Sequence, residues 1–202
     1  MNTAQNYRFT DYKIYGDIPV DEDRCFKLEG YLFPDTYDFF LNEAAESVIA
    51  RFLSNSDVKI TDEMRNRATE LGYTVDEIMI IASIIQAEGA FTDDAATIAG
   101  IIYNRLEDGI KLQMDSTYFY VEDDIASYVG EENADSYKEI YDTYTCYSLP
   151  QGPVCNPGMF AINAALYPEE TDYYYFCHDN DGNTYYAKTY NEHLRNCEKA
   201  GL

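Results

Sequence analysis

The sequence predicts an α+β fold, a mainly helical domain with a small antiparallel β-sheet. Two observations lead to this prediction: apolar residues recur at helical spacing over much of the chain, and two short tyrosine-rich runs flank an Asp-Asn-Asp-Gly turn near its end. With 202 residues, 46% of them hydrophobic, the chain can bury one core. We expect one domain, residues 28–202, preceded by a lead-in, residues 1–27, which has little periodicity and suits extended structure.

The first part of the domain predicts an extended segment and two helices. Residues 28–40 alternate aromatic and polar residues around a proline turn, which suits extended structure that leads into a helix. Residues 43–53 predict an amphipathic helix. Its apolar face contains Ala45, Val48, Ile49 and Phe52. Residues 62–71 predict a mostly polar surface helix that begins after Thr61 and ends at Gly72.

An apolar helix from Val75 to Gly89, with Thr74 as N-cap, is the centre of the predicted fold. Eight of the ten residues from Ile78 to Ala87 are apolar, and a helix that is apolar all round belongs inside a domain. Glu88 continues one of its apolar stripes, so a single carboxyl emerges among apolar groups. A poorly hydrated carboxyl has a raised pKa and can act as a general acid near neutral pH. Alternatively, Glu88 only ends a buried helix in solvent.

The middle of the chain predicts one more core helix and then less regular structure. Residues 93–106 predict a helix with an inward stripe of alanine, isoleucine and leucine. Residues 113–121 predict a loop that leads into a short strand. Residues 122–134 are acid-rich and weakly patterned, which predicts a surface excursion, and residues 136–141 predict a short helix.

The last part of the chain predicts a loop, a helix, a hairpin and a final helix. Residues 144–158 carry three prolines and two glycines, typical of an ordered but irregular loop. A helix is predicted from Pro157 to Leu166. Strands over 173–178 and 184–187 flank a tight turn, and a helix over 191–199 completes the chain.

The net charge of −23 argues against a nucleic-acid ligand and against binding to anionic membrane surfaces, because both attract basic patches. No apolar run is long enough for a membrane helix, and the first residues do not form a signal peptide. An anchor could have preceded the chain.

Two residue sets are reminiscent of metal sites, and the spacing argues against both. The acidic turn 179–183 lacks the glycine and glutamate positions of a calcium loop, so it predicts only a hairpin turn. Cys177 and His178 are adjacent on a strand and point to opposite faces. They are therefore not expected to form a zinc site with the helical pair His193 and Cys197. We predict no metal and no cofactor.

The five cysteines form no CxxC pair, and their odd number leaves at least one thiol outside any intramolecular disulfide. Cys146 with Cys155, or Cys177 with Cys197, could form disulfides in an oxidising compartment. Alternatively, all five are small buried hydrophobic residues.

Carboxylate chemistry remains after the other catalytic motifs are excluded. The sequence has no GxSxG motif, no glycine-rich phosphate loop and no serine or cysteine flanked by base partners. Its 21 tyrosines could line a carbohydrate cleft by stacking on sugar faces, although ordinary packing explains most of them.

Six sequence blocks occur in an order that resembles one known family. The blocks are LEGYLFPDTY (28–37), ASIIQAEG (82–89), IAGIIYNRL (98–106), LQMDST (112–117), YDTYTCYSLPQGPVCNPG (141–158) and AINAAL-P (161–168). Together they resemble the YceG-like family of bacterial endolytic murein transglycosylases, the MltG group, over residues 28 to about 195. The resemblance implies that residues 28–202 form the catalytic domain and that residues 1–27 are the tail of an upstream LysM-like module.

The resemblance also implies the reaction and its location. Members of the family cleave the β-1,4 bond between N-acetylmuramic acid and N-acetylglucosamine within nascent peptidoglycan strands and leave a 1,6-anhydro end. They are typically single-pass membrane proteins, which implies the extracytoplasmic face of the cell membrane and contact with the membrane only through an anchor that this sequence lacks. Peptidoglycan synthases are the implied protein partners.

The resemblance assigns candidate site residues by position. The catalytic glutamate of the family falls in the block 82–89, where the first of two acidic positions is Gln86 and the second is Glu88. Glu88 lies on the apolar stripe and is the predicted catalytic acid. Asp115 would stabilise the cation or orient Glu88. The other matched polar positions, expected around the sugars, are Asn104, Gln113, Thr117, Tyr144 and Asn156. Asn104 could instead only cap its helix, and Asn156 could only hold the proline-rich loop.

Two other functions remain open from the sequence. A muramidase would use Glu88 and Asp115 with water and would leave reducing ends. A non-catalytic peptidoglycan-binding or scaffolding module is the second, and Gln86 at the first acidic position is its best support.

Overall fold

The computed structural model describes residues 9–89 and 94–202, and it confirms a mainly helical α+β fold with a two-stranded antiparallel sheet. The helices are α1 (Lys13–Asp17), α2 (Ala45–Lys59), α3 (Asp62–Leu71), α4 (Val75–Ala87), α5 (Ala95–Glu107), α6 (Asp115–Phe119), a π-helical segment (Tyr120–Ile125), α7 (Ala126–Val129), α8 (Glu131–Tyr141), α9 (Met159–Leu166) and α10 (Tyr190–Ala200). The strands are β1 (Tyr175–His178) and β2 (Thr184–Ala187).

Helix α4 runs through the core, as its composition predicts. Its side chains from Ile78 to Ile85 are buried, and it packs against α9 and α5. The helix begins with a capping box: the Thr74 hydroxyl accepts from the Glu77 N–H, and the Glu77 carboxylate accepts from the Thr74 N–H. Because α4 packs against these two helices, the position of Glu88, the residue that follows α4, is fixed.

The predicted hairpin is also present. Strand β1 pairs antiparallel with β2, with Tyr175 opposite Ala187 and His178 opposite Thr184. The Asp179 carboxylate accepts from the backbone N–H groups of Asp181 and Asn183 at 3.0 and 2.9 Å, so the acidic turn 179–183 is stabilised as a turn. Helix α10 packs against both strands.

The segment 113–134 differs from the prediction of a loop, a short strand and an acidic surface excursion. It forms α6, the π-helical segment, α7 and the first turn of α8. The β-branched and aromatic residues from Thr117 to Val121 predict a strand by propensity alone. Val121 and Ile125 are fully buried, however, so packing against the core determines the helical conformation.

Several predicted boundaries also move. Helix α2 extends to Lys59, and Leu53 is its fully buried apolar residue, whereas Ala45 is exposed. Helix α9 begins at Met159, two residues after Pro157. The predicted start of the second core helix at Asp93 lies outside the described residues.

The lead-in before residue 28 contributes to the same core. It contains α1, and the side chains of Phe9 and Ile14 are buried. Arg24 forms a buried bidentate ion pair with Asp76 at the start of α4, with N–O distances of 3.0 and 2.8 Å. The assignment of residues 1–27 to an upstream module stays a prediction. Among the residues that the structure describes, no helix has the length and apolar character needed to cross a bilayer.

Candidate active site

A cavity of about 480 Å³ opens where the end of α4, the start of α6 and the hairpin with α10 meet. One wall carries four of the predicted site residues, Glu88, Gln113, Asp115 and Tyr144. A second wall comes from β1 and α10. The remaining lining residues are Arg105, Met114, Tyr175, Phe176, Cys177, His178, Tyr190, His193, Cys197 and Leu202.

Glu88 is the C-cap residue of α4 and its side chain faces this cavity. Its Oε1 atom accepts a hydrogen bond from the backbone N–H of Ser116 at 3.2 Å. Burial raises the pKa of the Glu88 carboxyl above its ordinary value; hydrogen bonding from Ser116 partly opposes this, and the Asp115 charge adds to it. The alternative in which Glu88 only ends a helix in solvent therefore does not match the geometry.

Asp115 and Tyr144 form a pair at the mouth of the cavity. The Tyr144 hydroxyl donates to Asp115 Oδ1 at 2.5 Å. Burial raises the pKa of Tyr144, and its hydrogen bond to Asp115 raises it further. The hydroxyl therefore stays protonated as a donor at neutral pH, and it orients a carboxylate beside Glu88.

Gln113 reaches the cavity through a strained backbone. Its φ of 53° lies in the left-handed region, which a non-glycine residue rarely adopts. Its N–H donates to the Thr143 carbonyl at 3.2 Å, and its side-chain oxygen accepts from Arg105 at 3.0 Å. The sequence gives no signal for this conformation.

The structure does not bring Asn104, Thr117 and Asn156 to the cavity, because structural hydrogen bonds use their side chains. Asn104 donates to the carbonyls of residues 171 and 173 at 2.8 and 3.0 Å, which ties α5 to the segment before β1. Thr117 is fully buried and bonds to the Thr143 hydroxyl at 2.9 Å. Asn156 accepts from a backbone N–H at residue 32 and so holds the proline-rich loop. Sugar contacts by these three residues stay predictions that the geometry does not favour.

Gln86 faces away from Glu88. Two residues along a helix correspond to a rotation of about 200°, so the two side chains leave α4 on opposite sides. The Gln86 side-chain oxygen accepts from the Gly158 N–H at 3.1 Å, next to the start of α9. Gln86 therefore has a structural contact here, outside the cavity that Glu88 lines.

The second wall of the cavity was not predicted from the sequence. Tyr190, His193 and Cys197 occupy positions i, i+3 and i+7 of α10, a spacing that places them on one helix face. The spacing of Cys177, His178, His193 and Cys197 argues against a zinc site made of all four. The structure brings three of them, Cys177, His193 and Cys197, within 4.8 Å of one another by their ligand atoms, without His178. No disulfide joins Cys177 to Cys197 or Cys146 to Cys155.

Comparison with known proteins gives one consistent family. A family model described as the YceG-like family matches residues 3–199. The chain is 32% identical over 188 residues to an endolytic murein transglycosylase of Streptococcus pneumoniae, which covers 89% of this chain and 33% of that protein. It is 32% identical over 178 residues to an endolytic murein transglycosylase of Bacillus subtilis, which covers 85% of this chain and 48% of that protein. The chain thus spans between a third and about half of these relatives.

The fold has a counterpart among solved structures. The crystal structure of a yceG-like protein from Listeria monocytogenes superposes with a TM-score of 0.80 at 33% sequence identity. The match covers 92% of this chain and 61% of that one.

Proposed function

Because the chain belongs to the YceG-like family, we propose that it is the catalytic part of an endolytic murein transglycosylase. It would cleave the β-1,4 bond between N-acetylmuramic acid and N-acetylglucosamine within peptidoglycan strands and leave 1,6-anhydro ends. The observation that carries this proposal is Glu88, a carboxyl with a raised pKa that lines a cavity of about 480 Å³.

The reaction needs one carboxyl that gives up a proton and takes one back. Protonated Glu88 donates its proton to the glycosidic oxygen as the bond breaks through an oxocarbenium-like state. The resulting carboxylate then accepts the proton of the C6 hydroxyl of the muramic residue, whose oxygen attacks C1. The proton balance on Glu88 is restored, and no water is consumed. The nucleophile is already tethered to the substrate, so a second nucleophilic carboxylate is unnecessary.

Neighbouring groups would assist in distinct ways. The Ser116 N–H fixes the position of one Glu88 oxygen, and it stabilises the carboxylate that forms after proton donation. Asp115, held by the Tyr144 hydroxyl, places a carboxylate beside the developing positive charge. Gln113, Tyr175 and Tyr190 present polar and aromatic groups to the sugars.

The proposed reaction also implies where the protein acts and which molecules it contacts. Peptidoglycan lies outside the cell membrane, so the site would act on the extracytoplasmic face. Glycan strands are its substrate, and peptidoglycan synthases that make nascent strands are its proposed protein partners. Membrane attachment would come from an anchor outside this sequence, and residues 1–27 would continue an upstream LysM-like module.

Digestion of purified peptidoglycan tests the proposal. Wild type should release anhydro-muropeptides, and Glu88→Gln should lower their rate of release by about 10²–10⁴-fold, since it removes a general acid. Gln86→Glu is the matched control, because a carboxylate at that position can still accept from Gly158 outside the cavity and should leave the products unchanged.

Mass spectrometry separates the competing functions. Reducing ends, each heavier by one water than the anhydro ends, would identify a muramidase and overturn the transglycosylase proposal. Glycan binding by both wild type and Glu88→Gln, with no cleavage by either, would identify a non-catalytic binding module.

A further inference from the structure

Three side chains with soft or borderline ligand atoms lie together on the wall of the cavity formed by β1 and α10. Cys177 lies on β1, and its side chain is buried. His193 and Cys197 lie one turn apart on α10, which packs against β1. The two sulfur atoms and an imidazole nitrogen all lie within 4.8 Å of one another.

These distances are close to those of a tetrahedral zinc site. Zn–S bonds of about 2.3 Å and Zn–N bonds of about 2.0–2.1 Å at tetrahedral angles separate sulfur from nitrogen by about 3.6 Å, and two sulfurs by about 3.8 Å. The Cys197 Sγ atom lies 3.6 Å from His193 Nε2. The remaining separations between ligand atoms are at most 4.8 Å. The same Sγ atom lies 3.9 Å from His193 Nδ1, so zinc binding requires a rotation of the imidazole, which directs one nitrogen at the ion, together with a shift of about 1 Å.

We propose that Cys177, His193 and Cys197 bind one zinc ion, with the fourth position open to the cavity. Two thiolates and one neutral imidazole form a ligand set that selects zinc over calcium or magnesium. Coordination releases the two thiol protons to solvent, and the two thiolates balance the charge of the ion. The site therefore adds no net charge to a partly buried wall.

The surrounding elements hold the three ligand residues close together. The His193 ring stacks on Tyr175, with 5.4 Å between ring centroids and 23° between planes. A capping box of Thr189 and Glu192 fixes the start of α10, one turn before His193. The hairpin and α10 thus hold both parts of the ligand set, and the ion would cross-link them.

Titration with Zn²⁺ and with the spectroscopic probe Co²⁺ under anaerobic conditions tests the site in the whole chain. Wild type should bind one equivalent per chain, with thiolate-to-cobalt charge-transfer bands and the intense d–d bands of tetrahedral Co²⁺. Saturating Zn²⁺ should also raise the melting temperature, because only the folded chain presents the three ligands together.

Single substitutions assign the ligands. Cys177→Ser, Cys197→Ser and His193→Gln should each weaken binding at least 10-fold and remove the thermal shift. Cys146→Ser and Cys155→Ser are matched controls that lie outside the ligand set and should bind as wild type does. His193 is only partly buried, so its variant keeps the test valid if a substitution at buried Cys177 prevents folding.

Two outcomes would overturn the proposal. One is that the reduced wild type binds no Zn²⁺, or that the Cys146 and Cys155 variants lose Zn²⁺ binding as much as the three ligand variants do. The other is a Cys177–Cys197 disulfide, seen as two fewer titratable thiols, that forms in air even with Zn²⁺ present. Metal binding and thiol titration do not depend on glycan cleavage. The experiment can therefore contradict the metal site without contradicting the proposed function.

Discussion

At the scale of single residues, the Glu88 carboxyl experiences opposing influences on its proton. Burial raises its pKa, the hydrogen bond from Ser116 lowers it, and the negative charge of Asp115 raises it again. A general acid is active only while it is protonated, so cleavage should fall as the pH rises through the pKa of Glu88.

Asp115→Asn should move the alkaline limb of the kcat/KM profile to lower pH. The substitution removes a negative charge that favours the protonated form of Glu88, so the pKa of Glu88 falls. Asparagine keeps an oxygen that can accept from Tyr144, so the geometry of the pair is preserved. The measurement is anhydro-product formation against pH.

Asp135→Asn provides the control, since Asp135 is exposed, pairs with Lys138 and is not among the residues that line the cavity. It should leave the pH profile unchanged. An alkaline limb that stays in place or moves upward in Asp115→Asn would contradict the electrostatic role of Asp115.

The sequence predicted one part of this site and missed another for physical reasons. An apolar stripe and matched motif positions are sufficient to place Glu88, Asp115 and Tyr144 together. Asn104 and Asn156 match motif positions equally well, yet their amides satisfy backbone groups inside the fold. No local pattern distinguishes an amide that binds substrate from one that holds a loop, because the difference lies in distant partners.

At the scale of secondary-structure elements, helices with complete end signals were predicted well. Helix α3 begins after Thr61 and ends at Gly72, whose φ of 83° is the left-handed conformation typical of a helix end. The segment containing α6 lacks such signals, and burial of Val121 and Ile125 determines its helical form. Such long-range packing is not visible in a local pattern.

Thr74→Ala should destabilise the chain by about 1 kcal/mol, because it removes the hydroxyl that caps α4. Urea denaturation followed by circular dichroism measures the change in the free energy of unfolding.

Thr69→Ala is the matched control for this substitution. Thr69 is exposed within α3, and its hydroxyl donates to the Arg65 carbonyl one turn earlier. Its effect should remain within about 0.5 kcal/mol. Equal effects of the two substitutions would show that the cap contributes nothing.

At the scale of the whole molecule, a buried polar cluster joins three distant parts of the chain. Arg24 from the lead-in pairs with Asp76 at the start of α4 and donates to the Gln151 carbonyl in the proline-rich loop at 2.8 Å. The Tyr31 hydroxyl donates to the same Asp76 carboxylate. Only the folded chain brings these residues together, and the sequence gives no hint of the pairing.

Asp76→Asn should destabilise the chain by about 3–5 kcal/mol, because it leaves the buried Arg24 guanidinium without its counter-charge. The change in urea midpoint measures this loss. Asp172→Asn removes one partner of the exposed Lys188 pair and should leave the midpoint unchanged. Similar midpoints for the two variants would contradict the role given to the cluster.

The position of Glu88 directly after the last residue of α4 has one further consequence. The aligned peptide dipoles of a helix place roughly half a negative elementary charge at its C-terminal end. This partial charge acts in addition to burial and disfavours a second negative charge on the neighbouring carboxyl. The backbone that carries the acid thus also helps to keep it protonated, and this contribution depends on an unbroken helix rather than on any one neighbouring side chain.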